Sequence, residues 1–174
     1  MAARVIHKYG KVIINDISAG ELDPLIVDVA AEHDVPYVAM HMKGNPRTMQ
    51  SMTDYRDIVA EVVDYFRERT AQLRERGVRR IVVDPGFGFA KTLEQNYELL
   101  RGLHRLAELG YPVLAGVSRK SMIYKLLGTT PAEALNGTTA LHWECLRQGA
   151  VILRAHDTRE AVEVVRMFDQ FMQA

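Results

Sequence analysis

Ile81-Val82-Val83-Asp84-Pro85-Gly86-Phe87-Gly88-Phe89 is the stretch on which the reading of this 174-residue chain turns. Its apolar opening predicts a buried strand. Thr92-Leu93-Glu94-Gln95 then predicts a helix start, with Thr92 and Gln95 spaced as a capping box. A single carboxylate, Asp84, therefore falls at the C-terminal tip of a strand, inside a glycine-rich turn that Pro85 stiffens. Ligand sites of parallel α/β folds lie at that edge. The alternative is an ordinary strand-to-helix loop with a capping aspartate, and the rest of the chain has to decide.

Outward from that stretch the same pattern repeats. Apolar runs at Val12–Ile14, Tyr37–Met40, Ile81–Val83, Pro112–Val117 and Ala150–Leu153 alternate with helical patterns. The runs are nearly continuous and rich in Val and Ile, which suits parallel strands covered on both faces. Residues 54–76 place Ile58, Val62, Phe66 and Leu73 at helical spacing before Gly77. The Thr92 helix is expected to run to Gly110. Thr130-Pro131-Ala132-Glu133 carries an N-cap, a first-position proline and a box glutamate. Asp157-Thr158-Arg159-Glu160 opens the last helix, with Val162, Val165 and Phe168 expected on its inner face. The order is α/β, one βα unit repeated five times, in a single domain over residues 1–174. A complete (β/α)8 barrel needs about 250 residues, so these units make either a small open sheet or part of a barrel.

Composition removes several function classes. Lys+Arg and Asp+Glu both number 22, so no basic surface for nucleic acid or anionic membrane is expected. No signal peptide and no 18-residue apolar run is evident, which predicts the cytoplasm. The lone Cys145 excludes an internal disulfide framework and reads as a buried, inert thiol. The six histidines show no recognised ligand spacing, so no protein-made zinc site is expected. Gly86-x-Gly88 is not a dinucleotide fingerprint. The arginines from Arg67 to Arg80, interleaved with glutamates, read as a solvated helix face.

What remains is chemistry at strand tips. They supply Asn15-Asp16, Met40-His41-Met42-Lys43, Asp84, Ser118-Arg119-Lys120-Ser121 and Arg154-Ala155-His156-Asp157, and in a parallel fold these converge on one face. Arg154 can hold phosphate oxygens in bidentate fashion, and His156 precedes a helix N-terminus that attracts negative charge. The competing reading pairs Arg154 with Asp157 or Glu160. Asp84 can accept paired N–H bonds from an amidine-like ring edge, and Asn15 can donate to and accept from the same ring. Lys120 can cover a flat ring with its stem and offer its ammonium to a ring heteroatom. Phe87, Phe89 and Met40 are candidate walls, although core packing is the commoner role for such residues, and His41 reads as a wall residue satisfied by a hydrogen bond.

These motifs, in this order, resemble dihydropteroate synthase over about residues 5–170. The segments that carry the resemblance are Ile13-Ile14-Asn15-Asp16-Ile17, Met40-His41-Met42-Lys43-Gly44-Asn45-Pro46-Arg47-Thr48-Met49, Asp84-Pro85-Gly86-Phe87-Gly88-Phe89-Ala90-Lys91, Gly116-Val117-Ser118-Arg119-Lys120-Ser121 and Arg154-Ala155-His156-Asp157. The resemblance implies a TIM-type (β/α)8 barrel, here a partial one of about five βα units matching strands four to eight. It implies condensation of a hydroxymethyl-dihydropterin diphosphate with p-aminobenzoate, giving 7,8-dihydropteroate and pyrophosphate in folate biosynthesis. Asn15 and Asp84 would hold the pterin, with Met40 and Gly116 lining its slot. Lys120 would contact the pterin and, with Ser118 and Arg119, frame the aminobenzoate pocket. Arg154 and His156 would bind the diphosphate.

The resemblance also implies Mg2+, whose asparagine ligand belongs to family segments without counterpart here, and a homodimer through late helices. Without those segments two sheet edges and the barrel interior are expected to lie open, favouring association. A pterin-binding or dimerisation module without turnover is the main alternative function. A pterin-dependent methyltransferase domain is a third, disfavoured by Ser118-Arg119-Lys120-Ser121.

Overall fold

Five parallel strands, β1 (Ile14–Asp16), β2 (Tyr37–Met40), β3 (Ile81–Asp84), β4 (Leu114–Ala115) and β5 (Ile152–Leu153), lie side by side in chain order. This computed structural model describes residues 1–44, 47 and 52–173. Asn45, Pro46, Thr48 and Met49 of the second family-like segment thus lie outside the described residues. A bridge between Val83 and Val113 joins β3 to β4, with the Val83 N–H donating to the Pro112 carbonyl at 3.0 Å.

The strand order separates the two architectures left open by the sequence. Open doubly wound sheets reverse direction at a switch point and put helices on both faces. Here there is no reversal, and right-handed crossovers then place every helix on one side. The residues follow suit. Tyr37, Ala39, Ile81, Val83, Val113 and Ala115 enter the large core shared with the helices, whereas Val38, Val82 and Leu114 form a separate cluster on the opposite face. The chain is an arc of a (β/α)8 barrel, and Val38, Val82 and Leu114 are its interior layer. That interior faces a groove of about 580 Å³ lined by Asn15, Val38, Val82, Leu114, Ile152 and Arg154. Among the described residues β1 pairs only with β2, and β5 only with β4.

Helices α1 (Ala2–Tyr9), α2 (Leu25–Glu32), α3 (Ile58–Glu75), α4 (Leu93–Arg101), α5 (His104–Ala107), α6 (Ser121–Tyr124), α7 (Leu135–Arg147) and α8 (Thr158–Gln173) cover the outer face. In α3 the expected residues Ile58, Val62, Phe66 and Leu73 are all buried. Asp57 caps it, accepting from the Ala60 N–H at 2.9 Å. The Thr92–Gln95 capping box forms at α4.

Four expectations need correction. The first element is a helix, not a strand: α1 precedes β1, seats Ile6 in the core and ends at Gly10. The strand itself starts at Ile14, leaving Ile13 64% exposed. The Thr92 helix stops at Arg101 with Gly102 as its C-cap, where a side chain would collide with Val59 of α3, and α5 restarts beyond it. On α8 the buried residues are Ala161 and Val164, with Val165 and Phe168 partly buried beside them, so of the three expected residues only Val162 is exposed.

Candidate functional site

Asp84 ends β3 and is fully buried. Its Oδ1 accepts from the Gly86 N–H at 2.8 Å, an Asx-type closure that the Asp-Pro-Gly sequence favours. Its Oδ2 lies 2.9 Å from Arg154 NH1 but makes no aligned hydrogen bond. A buried carboxylate oxygen with unspent accepting capacity is costly unless a partner supplies the N–H. Arg154 also reaches Asn15 Oδ1, at 3.4 Å. Arg154 pairs with Asp84 instead of Asp157, which is taken by Arg119 through two bonds of 2.9 and 2.7 Å.

The turn after Asp84 is clamped from both sides. Lys91, 8% exposed, donates to the carbonyls of Gly86 (3.1 Å) and Phe89 (2.9 Å) and to Nδ1 of His41 (3.1 Å). Burial pulls the Lys91 ammonium down to about 7. Burial, then the charge of Lys91, holds His41 well below its ordinary value, so its ring is neutral and Nδ1 accepts. His41 is thus satisfied by a hydrogen bond, and its ring packs edge-on to Tyr65 of α3 at 4.9 Å. From the outer side Lys120 donates to the Phe87 carbonyl and lies 4.7 Å from the centre of the Phe89 ring. Burial lowers Lys120 to about 8, against the opposing pull of Asp84.

Each residue singled out in the sequence has a definite place. Asn15, Asp84, Lys120 and Arg154 converge at the strand tips. Met40 stands opposite Asp84 in the β2–β3 register and is buried. Gly116 lies under the Arg154 guanidinium. Phe87 differs from the expected wall: its ring is fully buried in the core, and it offers the site only its carbonyl, while Phe89 is partly exposed. Ser118 Oγ bonds to both the N–H and the Nδ1 of His156, at 3.1 and 3.0 Å. Arg119 is spent on Asp157 and on the carbonyls of Pro131 and Ala132, tying three loops together. Asp16 and Lys43 serve local structure, the first bonded to Ser18, Gly20 and Tyr37, the second to Glu61. Cys145 is buried and its thiol is pushed up to about 12, so it is inert.

The sequence reading gave no role to Lys91, although it ends the quoted glycine-rich motif. It also missed a polar cavity of about 410 Å³ beside Lys120, lined by Thr53, Gly88, Lys91, Asn96, Ser121 and Lys125. A lysine followed by a helix-opening serine was its only local sign.

The profile described as "Pterin binding enzyme" matches residues 1–156. The chain belongs to the pterin binding enzyme family. Within this family it is similar to the dihydropteroate synthase of Synechocystis, 42% identical over 170 residues, which cover 96% of this chain and 59% of that protein. The chain thus spans about three fifths of the length of that relative. Dihydropteroate synthase from Thermus thermophilus superposes with a TM-score of 0.91 in its complex with 4-aminobenzoate, at 38% identity, over 97% of this chain and 69% of that one. The same enzyme in complex with 6HMPPP gives 0.90 at 39% identity, over 97% and 67%. The pterin binding enzyme family therefore accounts for the barrel arc and for the order of its strand-tip motifs.

Proposed function

We propose that this chain provides most of a dihydropteroate synthase site, joining a hydroxymethyl-dihydropterin diphosphate to p-aminobenzoate. The observation that carries the reading is Asp84 Oδ2, a buried carboxylate oxygen beside Asn15 with no aligned donor. An amidine-like ring edge supplies two parallel N–H donors to such a group. Met40 and Gly116 line the slot, and Lys120 and Phe89 lie over it. Arg154 and His156, ahead of α8, receive the diphosphate. The second substrate suits the cavity beside Lys120, where Lys125 and the first residue of α6, Ser121, offer donors to a carboxylate. Ser118 and Arg119 frame that region by holding His156 and Asp157 in place. Support comes from the Thermus thermophilus enzyme, whose structures contain 4-aminobenzoate and 6HMPPP.

The chemistry follows from these placements. The carbon–oxygen bond at the pterin methylene carbon breaks, and the aniline nitrogen then bonds to that carbon. Pyrophosphate leaves with the electron pair, and the nitrogen loses its proton to solvent. Lys120, Arg154 and His156 act by stabilising the departing negative charge, and the two pockets supply orientation. Among the described residues no group of three or more His, Cys, Asp or Glu side chains could hold a metal, and the resemblance places the protein ligand of Mg2+ in a segment without counterpart here. Asp157 and Asp16 are taken up by Arg119 and Tyr37.

Calorimetry with 6-hydroxymethylpterin diphosphate, followed by an assay of dihydropteroate formation with 4-aminobenzoate and magnesium, tests the reading. Binding with turnover supports it. Binding without turnover favours the pterin-binding module, and no binding sinks both. The affinity also carries a pH signature. Lys120 sits near 8 and is charged below that value, so diphosphate binding weakens as pH rises through about 8. In Lys120→Arg, whose guanidinium stays protonated, that fall disappears.

The unit acts as a cytoplasmic homodimer in this reading, docking through α7 and α8. Trp143 packs on Phe168 and Phe171 at 5.3 and 5.5 Å, yet Met167, Phe171 and Met172 remain about two-thirds exposed. No helix among the described residues is long and apolar enough to cross a membrane. A monomer in sedimentation at micromolar concentration overturns the dimer.

A further inference from the structure

We propose that Arg154 is a specificity-determining residue that discriminates against pterins lacking an anionic tail, because its guanidinium rests on the acceptors the pterin ring must use. The inference rests on the pterin reading of Asp84 given above and adds a competitor to it. Arg154 NH1 lies 2.9 Å from Asp84 Oδ2 and 3.4 Å from Asn15 Oδ1. A guanidinium and a 2-amino-pyrimidinone edge both present parallel N–H donors, so they are rivals for one carboxylate. The absence of a side chain at position 116 makes the rivalry possible: a Cβ there would sit 2.5 Å from Arg154 NH2.

The guanidinium holds this position loosely. Its contact with Oδ2 is an ion pair without hydrogen-bond alignment, and the contact with Asn15 is at the long limit of a bond. The Arg154 side chain is 39% exposed, so solvent screens part of its attraction to Asp84. A ring with well-aligned N–H groups can displace it. Displacement leaves a cation that repels Lys120, which already feels the Arg154 charge. A diphosphate near His156 and Ser118 gives that cation a new partner, whereas a bare pterin gives it none. The penalty of moving Arg154 thus falls on ligands without the anion.

Titration of 6-hydroxymethylpterin and of its diphosphate into the parent chain and into Arg154→Met tests this, with thermal melts confirming that both are folded. The parent is expected to prefer the diphosphate. In Arg154→Met the diphosphate weakens about tenfold or more, while the bare pterin tightens about fivefold. That opposite response is the signature of a competitor. Bare-pterin affinity that is unchanged or weaker in the variant overturns the proposal and leaves the pterin site standing. Absence of binding of either ligand to either protein overturns the pterin reading itself.

Discussion

Asp84→Asn binds 6-hydroxymethylpterin diphosphate about 100- to 1000-fold more weakly than the parent chain, a loss of about 3–4 kcal/mol. The substitution keeps the shape and inverts half of the chemistry. One amide oxygen can still accept from the Gly86 N–H, as Oδ1 does at 2.8 Å. The amide nitrogen then occupies the place of Oδ2, where it turns donors toward the donors of the ring. The buried setting makes this severe, since Asp84 is fully shielded and water cannot repair the mismatch. A second consequence follows inside the protein. Asp84 supports the charged forms of both Lys91 and Lys120. Removing it lowers both further, so the pH at which Lys120 loses its proton falls below about 8. Calorimetry across a pH series measures the two effects together. Equal affinity of Asp84→Asn and the parent would remove Asp84 from the site.

Gly86→Ala costs the fold about 2–6 kcal/mol, the sum of backbone strain and overpacking. Gly86 has φ +70, a region that residues with a Cβ resist. An added Cβ would also stand 2.1 Å from the His41 carbonyl oxygen, which is backbone and cannot swing away. The turn would have to move, and with it the Gly86 carbonyl that Lys91 holds at 3.1 Å and the N–H that closes on Asp84. The expected readout is a lower urea midpoint with loss of pterin binding. Gly88→Ala serves as the contrast: its φ is also positive, but an added Cβ meets only the flexible Lys120 stem, at 3.4 Å. If Gly86→Ala unfolds at the same urea concentration as the parent, the clamped turn is not as rigid as its contacts require.

The strands and most helices could be read from the chain because their signals are local. Ile81-Val82-Val83 announces a strand, Thr92 with Gln95 announces a cap, and Ile58, Val62, Phe66 and Leu73 repeat at the helical period. The misplaced elements are those where a tertiary contact overrides such signals. The expected Thr92 helix divides at Gly102, which leaves no room for a side chain against Val59, and the seating of Ala161 and Val164 leaves Val162 exposed.

The sequence by itself determined which groups stand at the strand tips, because a strand ends where its apolar run ends and the next residues must face the rim. It therefore named Asn15, Asp84, Lys120, Arg154 and His156. Only the tertiary structure decided how they are paired. Arg154 meets Asp84 rather than Asp157, Arg119 takes Asp157, Ser118 holds His156, and Lys91 joins His41 across 50 positions of chain. Such choices depend on distance and direction in space. Several cations and carboxylates of equal chemical promise compete there, and only their positions on the folded arc select the partner.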